Sequence, residues 1–210
     1  MILPYFEKYF VTAIGTDSGK TVVSAILTQA LQADYWKPVQ CGTPTDSETV
    51  ASLINNMHCI IHPETYFLKN PLSPHAAAKL EHIQIKLSDI TLPFTESNCL
   101  IIEGAGGLLV PLNDKDFVID IAVKFDAPII LVCNIYLGSI NHSLLTINEI
   151  RRRGLKVKGI IFNGLENIET EEYILEYSGF KCLLKLRPVD KIDSEYVQSQ
   201  AIKLFENWDD

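Results

Sequence analysis

Short, near-continuous runs of Ile, Leu and Val alternate along this chain with segments whose apolar residues recur every three or four positions. The first pattern suits strands buried on both faces of a sheet, the second suits helices with one apolar stripe. Strands are predicted over Tyr9–Ile14, Tyr35–Val39, Leu100–Glu103, Ile129–Asn134, Gly159–Asn163 and Cys182–Leu186. Helices are predicted over Lys20–Leu31, Ser47–Asn55, Pro74–Leu80, Val118–Phe125, Asn141–Arg153, Thr170–Tyr177 and Ser194–Asn207. This β–α alternation implies an α/β fold, a doubly wound, mostly parallel sheet flanked by helices. Such sheets bind ligands beyond the carboxyl ends of their strands. Residues 56–98 are the least regular part, punctuated by Pro63, Pro71, Pro74 and Pro93. No repeat, low-complexity tract or linker divides the sequence, so residues 1–210 are expected to form a single domain.

Composition narrows the classes. The 210 residues are 47% hydrophobic and 21% charged, as in ordinary globular proteins. A net charge of −8 disfavours nucleic acid and anionic membranes as partners. No apolar run approaches the roughly 20 residues needed to span a bilayer. The first strand starts close to Met1, leaving no space for a cleavable leader, and a cytoplasmic protein is expected. Five scattered cysteines form no CxxC pair; Cys99, Cys133 and Cys182 sit in apolar runs and read as small buried hydrophobes. His58, Cys59 and His62 lack a second ligand pair at zinc spacing and read as surface or packing residues.

Chemistry concentrates at strand ends. Ala13-Ile14-Gly15-Thr16-Asp17-Ser18-Gly19-Lys20-Thr21 links the first strand to the first helix. A small-residue loop ending in Gly-Lys-Thr at a helix start is the layout of a phosphate-binding loop, with backbone N–H groups aimed at oxyanions. Lys20 would then reach the β- and γ-phosphates of a nucleotide and Thr21 would ligate Mg²⁺. The loop is one residue longer than usual and opens on Ala13 instead of Gly, so Ala13 is expected to keep an ordinary φ.

Three further segments share the same sheet edge. Lys37, in Trp36-Lys37-Pro38-Val39, is either a solvated charge or a second cation over a reacting oxyanion. Glu103, after Cys99-Leu100-Ile101-Ile102 and before Gly104-Ala105-Gly106-Gly107, stands where a phosphate-loop protein places its Mg²⁺-organising acid. Asp46 either caps a helix or joins Thr21 and Glu103 in a hard-oxygen Mg²⁺ site. Gly138-Ser139-Ile140-Asn141 starts a helix and either binds a carboxylate or only caps. Asn163 either hydrogen-bonds a purine edge or begins a turn. No Ser-His-Asp, Cys-His or paired-carboxylate glycosidase arrangement is supported. Two lysines, Mg²⁺ ligands and no nucleophile suit ATP-dependent phosphoryl transfer by a kinase, ligase or switch.

Taken in order, Phe10-Val11-Thr12…Gly19-Lys20-Thr21, Lys37-Pro38-Val39, Ser73-Pro74-His75, Glu103-Gly104-Ala105-Gly106-Gly107, Leu137-Gly138-Ser139-Ile140-Asn141-His142 and Asn163 resemble the dethiobiotin synthetase family over most of the chain. The longer loop is that family's own form. The resemblance implies a phosphate-loop NTPase fold and a cyclo-ligase making dethiobiotin from 7,8-diaminononanoate, CO₂ and MgATP. It assigns Lys20 and Lys37 to charge on the carbamate and the transferring phosphoryl group, and Thr21, Asp46 and Glu103 to Mg²⁺. Thr16 and Cys41 fall on the substrate side, Thr16 at the reacting groups. Asp17, Ser18, Gly19, Val22, Gly104, Ala105 and Gly106 would surround the nucleotide, with Asn163, Gly164, Arg187, Pro188 and Val189 at its base. Gly138–Asn141 would bind the substrate carboxylate from the other subunit of a homodimer.

The chain departs from the family at Asp17, where Glu is common, at Cys41 in place of Ser, and at Gly164 where Asp can occur. Two other classes share the fold: cargo-partitioning ATPase switches and non-catalytic regulatory domains. Many of the switches carry a Lys where this chain has Gly15, which counts against them. Retention of Lys20, Lys37, Asp46 and Glu103 counts against a regulatory domain.

Overall fold

A computed structural model describes residues 6–208. The elements run β1 (Glu7–Ala13), α1 (Lys20–Ala30), β2 (Asp34–Trp36), β3 (Val39–Cys41), α2 (Asp46–Leu53), β4 (Ile61–His62), β5 (Tyr66–Leu68) and α3 (Pro74–Leu80). They continue through a 3-10 turn at Leu87–Asp89 to β6 (Cys99–Gly107), α4 (Ile119–Phe125), β7 (Ile129–Asn134), α5 (Ser139–Arg152), β8 (Val157–Asn163), α6 (Ile168–Ser178), β9 (Cys182–Leu186) and α7 (Ser194–Glu206). Seven strands form one sheet in the order β4-β2-β6-β1-β7-β8-β9, and every pairing in it is parallel.

Successive residues of each strand point to opposite faces, and both faces are covered. Phe10, Leu100, Ile102, Leu131 and Phe162 pack under α3, α4, α5 and α6. Val11, Ala13, Ile101, Val132 and Ile161 pack under α1, α2 and α7. This explains why the strands read as unbroken apolar runs. Ile26 of α1 and Phe162 of β8 are both fully buried; truncating such side chains to Ala costs about 2–5 kcal/mol. β1 lies between β6 and β7, and the chain passes from one side of it to the other after β6. That reversal opens a crevice at the carboxyl end of β1, where the phosphate-loop sequence begins.

The structure corrects several expected boundaries. The strand expected over Tyr35–Val39 is two strands in two sheets. β2 stays in the main sheet, whereas β3 pairs with β5 in a separate two-stranded sheet. Pro38 has no N–H to donate to a ladder, so the break falls at Lys37-Pro38. Residues 56–98 are more ordered than their prolines suggest, holding β4, β5, α3 and the 3-10 turn. β6 runs through its glycines to Gly107, so Glu103 lies inside the strand and is buried instead of following it. Helix α5 starts at Ser139, not Asn141. Ala13 is buried in β1 and is absent from the left-handed region, in line with the expected ordinary φ. No helix among the described residues is long and apolar enough to cross a membrane.

Candidate active site

A cavity of about 960 Å³ opens at the carboxyl ends of β1, β3 and β6. Residues Thr16–Thr21 form one side of it, with Lys37, Cys41, Asp46, Glu103, Ala105 and Gly106. The opposite wall comes from Gly42–Pro44 and Pro71–Pro74, carried by the small β3–β5 sheet and the start of α3. Gly42 N donates to Leu68 O at 2.8 Å, tying the two parts of that wall together.

The phosphate loop is shaped by its backbone. Asp17 has φ 55° and Gly19 has φ 90°, on either side of the buried Ser18. Only glycine fits at position 19, because a Cβ there would lie 2.4 Å from Asn163 Nδ2. With Gly19 as its N-cap and no side-chain cap, α1 leaves its first N–H groups free for an anion. Lys20 Nζ stands 3.5 Å from Gly15 O. Burial pulls the Lys20 ammonium below its ordinary value, opposed by Glu103.

Beside the loop sits a charge cluster. Lys37 Nζ donates to Asp46 Oδ2 and, at 3.2 Å, to Glu103 Oε1. Thr21 Oγ1 donates to the same Glu103 oxygen at 3.2 Å, and Tyr35 OH donates to Glu103 Oε2 at 2.9 Å. The Lys37 side chain is 6% exposed, that of Glu103 0% and that of Asp46 28%. Burial would pull the Lys37 ammonium down, but the Glu103 and Asp46 carboxylates outweigh it and hold it above its ordinary value. Burial raises the Asp46 carboxyl, and Lys37 outweighs that, leaving it below the usual range. Burial, then Glu103, pushes the Tyr35 phenol well up, so it remains a donor. Thr21, Asp46 and Glu103 together offer a hydroxyl and two carboxylates, the all-oxygen set that fits Mg²⁺.

Of the two readings of Asp46, the helix cap belongs to its neighbour. Thr45 caps α2 and forms a capping box with Glu48, leaving the Asp46 carboxylate for Lys37. Likewise Gly138, with φ 104°, is the N-cap of α5, and neither Ser139 nor Asn141 caps it by side chain. Gly138–Asn141 lie outside the cavity, as do Val22 and Gly104. Gly104 packs on Phe10 and Val118, where a Cβ would come within 3.0 and 3.1 Å. His142 is exposed and bonds the Tyr136 hydroxyl.

The candidate base-flanking residues gather at the ends of β8 and β9. Asn163 pairs in register with Leu186, next to Arg187. Arg187 is held by the fully buried Glu171, Nη1 to Oε1 at 2.8 Å, and reaches Gly164 O at 3.4 Å. Pro188 is exposed, as is Val189 at 46%. Asn163 Nδ2 donates to Ser18 O at 2.9 Å.

Cys41 is half-buried at the cavity wall, and burial pushes its thiol up to about 11. Of His58, Cys59 and His62, His62 Nε2 sits 3.1 Å from the buried Asp34, while His58 is exposed. Sequence reasoning missed Tyr35, Gln40, Asn134 and the Pro71–Pro74 wall. Gln40 receives Asp46 N–H on Oε1 at 3.4 Å and donates to Gly42 O at 3.1 Å. Pro71 and the Ser73-Pro74-His75 motif were the available signals for that wall.

Comparison with known proteins bears on this geometry. A family model described as an AAA domain matches residues 7–196. A protein from Cytophaga hutchinsonii named ATP-dependent dethiobiotin synthetase BioD is 60% identical over 203 residues, covering 96% of this chain and 98% of that one. Its namesake from Christiangramia forsetii is 45% identical over 200 residues, covering 94% and 93%. Among solved structures, the septum site-determining protein MinD from Pyrococcus horikoshii, complexed with Mg-ADP, superposes with a TM-score of 0.59 at 14% identity, covering 96% of each chain. A putative plasmid partition protein from Borrelia burgdorferi gives 0.56 at 10% identity, covering 96% and 97%. These two likenesses establish the fold.

Proposed function

Since the chain belongs to the family of ATP-dependent dethiobiotin synthetases, we propose that it is an ATP-dependent ligase of biotin biosynthesis, closing the ureido ring of dethiobiotin on 7,8-diaminononanoate and CO₂. One observation carries the residue assignments: Lys20, Thr21, Lys37, Asp46 and Glu103 converge on a single cavity beside a phosphate loop.

One substrate amine adds to CO₂, giving a carbamate and releasing a proton. A carbamate oxygen then attacks the γ-phosphorus of ATP, and ADP leaves. The second amine attacks the resulting carbamoyl carbon, phosphate departs, and the ring closes. Each step moves negative charge. Lys20 is placed to stabilise it on the β- and γ-phosphates, and Lys37 on the carbamate and the transferring phosphoryl group. No protein nucleophile is needed, because ring closure is intramolecular and orientation supplies much of its rate.

Thr21, Asp46 and Glu103 would hold Mg²⁺, which when bound supplies charge neutralisation on the phosphates. Thr16 and Cys41, which both line the cavity, would border the diamine. Asn163, Gly164 and Arg187–Val189 would flank the adenine. Gly138–Asn141 would take the substrate carboxylate in a partner's site within a homodimer, consistent with their position outside this chain's own cavity. We place the reaction in the cytoplasm.

The test is incubation with MgATP, bicarbonate and 7,8-diaminononanoate, followed by mass spectrometry. Dethiobiotin that requires all three components supports the assignment. Its absence from folded, ATP-binding protein sinks it in favour of a regulatory domain of the same fold.

A further inference from the structure

The phosphate loop rests on two asparagines that end neighbouring strands. Asn134 closes β7 and Asn163 closes β8, directly opposite each other in register. Ser18 Oγ donates to Asn134 Oδ1 at 2.8 Å and lies 3.1 Å from Gly15 O. Asn163 Nδ2 donates to Ser18 O at 2.9 Å. Ser18 is therefore held by its side chain from one strand and by its backbone from the next.

The residue gripped in this way is the one that needs gripping. The left-handed conformations at Asp17 and Gly19 bracket it. Such a conformation is unfavourable for Asp, and the free loop has other choices. Ser18 is also 1% exposed, so its own end of both bonds is out of water, while the two asparagines are partly buried.

We propose that Asn134 and Asn163 are positioning residues that together hold the loop in its anion-receiving shape. Asn163 thus serves the phosphates as well as any base it touches. The inference rests on the reading of residues 15–21 as a phosphate seat. It has a consequence that base recognition lacks. A residue that only reads adenine affects ligands that carry adenine, whereas a residue that shapes the loop affects every ligand the loop holds.

Titration calorimetry in Mg²⁺ buffer with ATP and with inorganic tripolyphosphate separates the two. Wild type is compared with Asn134→Ala, Asn163→Ala, Ser18→Ala and the Ser18→Ala/Asn134→Ala double variant, each checked for folding by thermal melting. Both asparagine variants are expected to bind tripolyphosphate about fivefold more weakly, and ATP at least as much. The double variant should bind no more weakly than the weaker of the two single variants, since the shared bond is lost only once.

The proposal falls if Asn163→Ala weakens ATP but leaves tripolyphosphate untouched, if the two losses in the double variant simply add, or if wild type binds ATP and no tripolyphosphate. Should Asn163→Ala fail to fold, the Ser18–Asn134 cycle decides the outcome through Asn134. Lys20→Ala isolates the underlying reading. Intact tripolyphosphate binding in that variant would mean the loop is no phosphate seat. Lost binding there, with full binding in the asparagine variants, would sink the clamp alone.

Discussion

Lys37→Met keeps the length of the side chain and deletes its charge. In the native cluster the ammonium lies between Asp46 and Glu103, with the lysine and glutamate side chains 6% and 0% exposed. Deleting it leaves a buried carboxylate facing a partly buried one. Removing one partner of a buried ion pair costs about 3–5 kcal/mol. Asp46 keeps 28% of its side chain in solvent, which puts the expected cost at the lower end, about 3 kcal/mol. For a chain of this length that is a fall in Tm of about 6–12 °C. The loss should also depend on pH. In wild type Lys37 holds the Asp46 carboxyl below its ordinary value. That stabilisation is present above the ordinary value of 3.8 and disappears only as pH falls through the lower folded value, so wild type is flat in this respect near neutrality. In the variant, burial and the facing carboxylate both push Asp46 up, and protonation relieves the repulsion. The Tm deficit should therefore be largest near about pH 8 and narrow toward about pH 5. Scanning calorimetry across that range reads it, and dethiobiotin formation at neutral pH should fall by at least about a hundredfold. A Tm within about 2 °C of wild type throughout, or a deficit that widens on acidification, would refute the electrostatic account.

Glu103→Gln should raise the Mg²⁺ concentration for half-maximal turnover by about tenfold or more, and an unchanged Mg²⁺ titration would make Glu103 structural. Tyr35→Phe removes the hydroxyl that holds Glu103 Oε2; it should cost about 1 kcal/mol in urea unfolding, and no loss would mean Glu103 finds another donor. Gly19→Ala drives a Cβ onto Asn163 and keeps a left-handed φ, so ATP affinity should be lost in calorimetry; retained nanomolar-to-micromolar binding would mean the loop can reshape. Cys41, with its thiol raised to about 11, should react with iodoacetamide far more slowly in the folded chain than after denaturation at the same pH, as peptide mass spectrometry would record; equal rates would place the thiol in open solvent.

What the sequence discloses depends on how far apart the interacting residues lie. Gly19-Lys20-Thr21 was legible because strand, loop and helix start are contiguous, and their chemistry is local. Glu103 was legible as a strand-end acid, though its burial was not, because the strand continues through glycines that resemble a turn. Asn134 looked like any polar residue closing an apolar run; its partner Ser18 is 116 positions away. Tyr35 and Glu103 are separated by 68 positions, and nothing near Tyr35 marks its hydroxyl as a donor to an acid. The break at Pro38 was signalled by a residue without an N–H, but the aromatic and β-branched residues around it imitate one continuous strand. The fold neighbours show the other limit: MinD shares this architecture at 14% identity, so the backbone alone does not separate a ligase from its relatives.

The break at Lys37-Pro38 gives the cleft two foundations. The phosphate-loop half stands on the seven-stranded sheet, whose strands pair in parallel from β4 to β9. The facing wall stands on the β3–β5 ribbon, which keeps a register of its own. Insertions or substitutions that displace the ribbon reshape that wall while the footing of the phosphate loop stays in register. One such scaffold therefore lets the two walls of the cleft vary independently of each other.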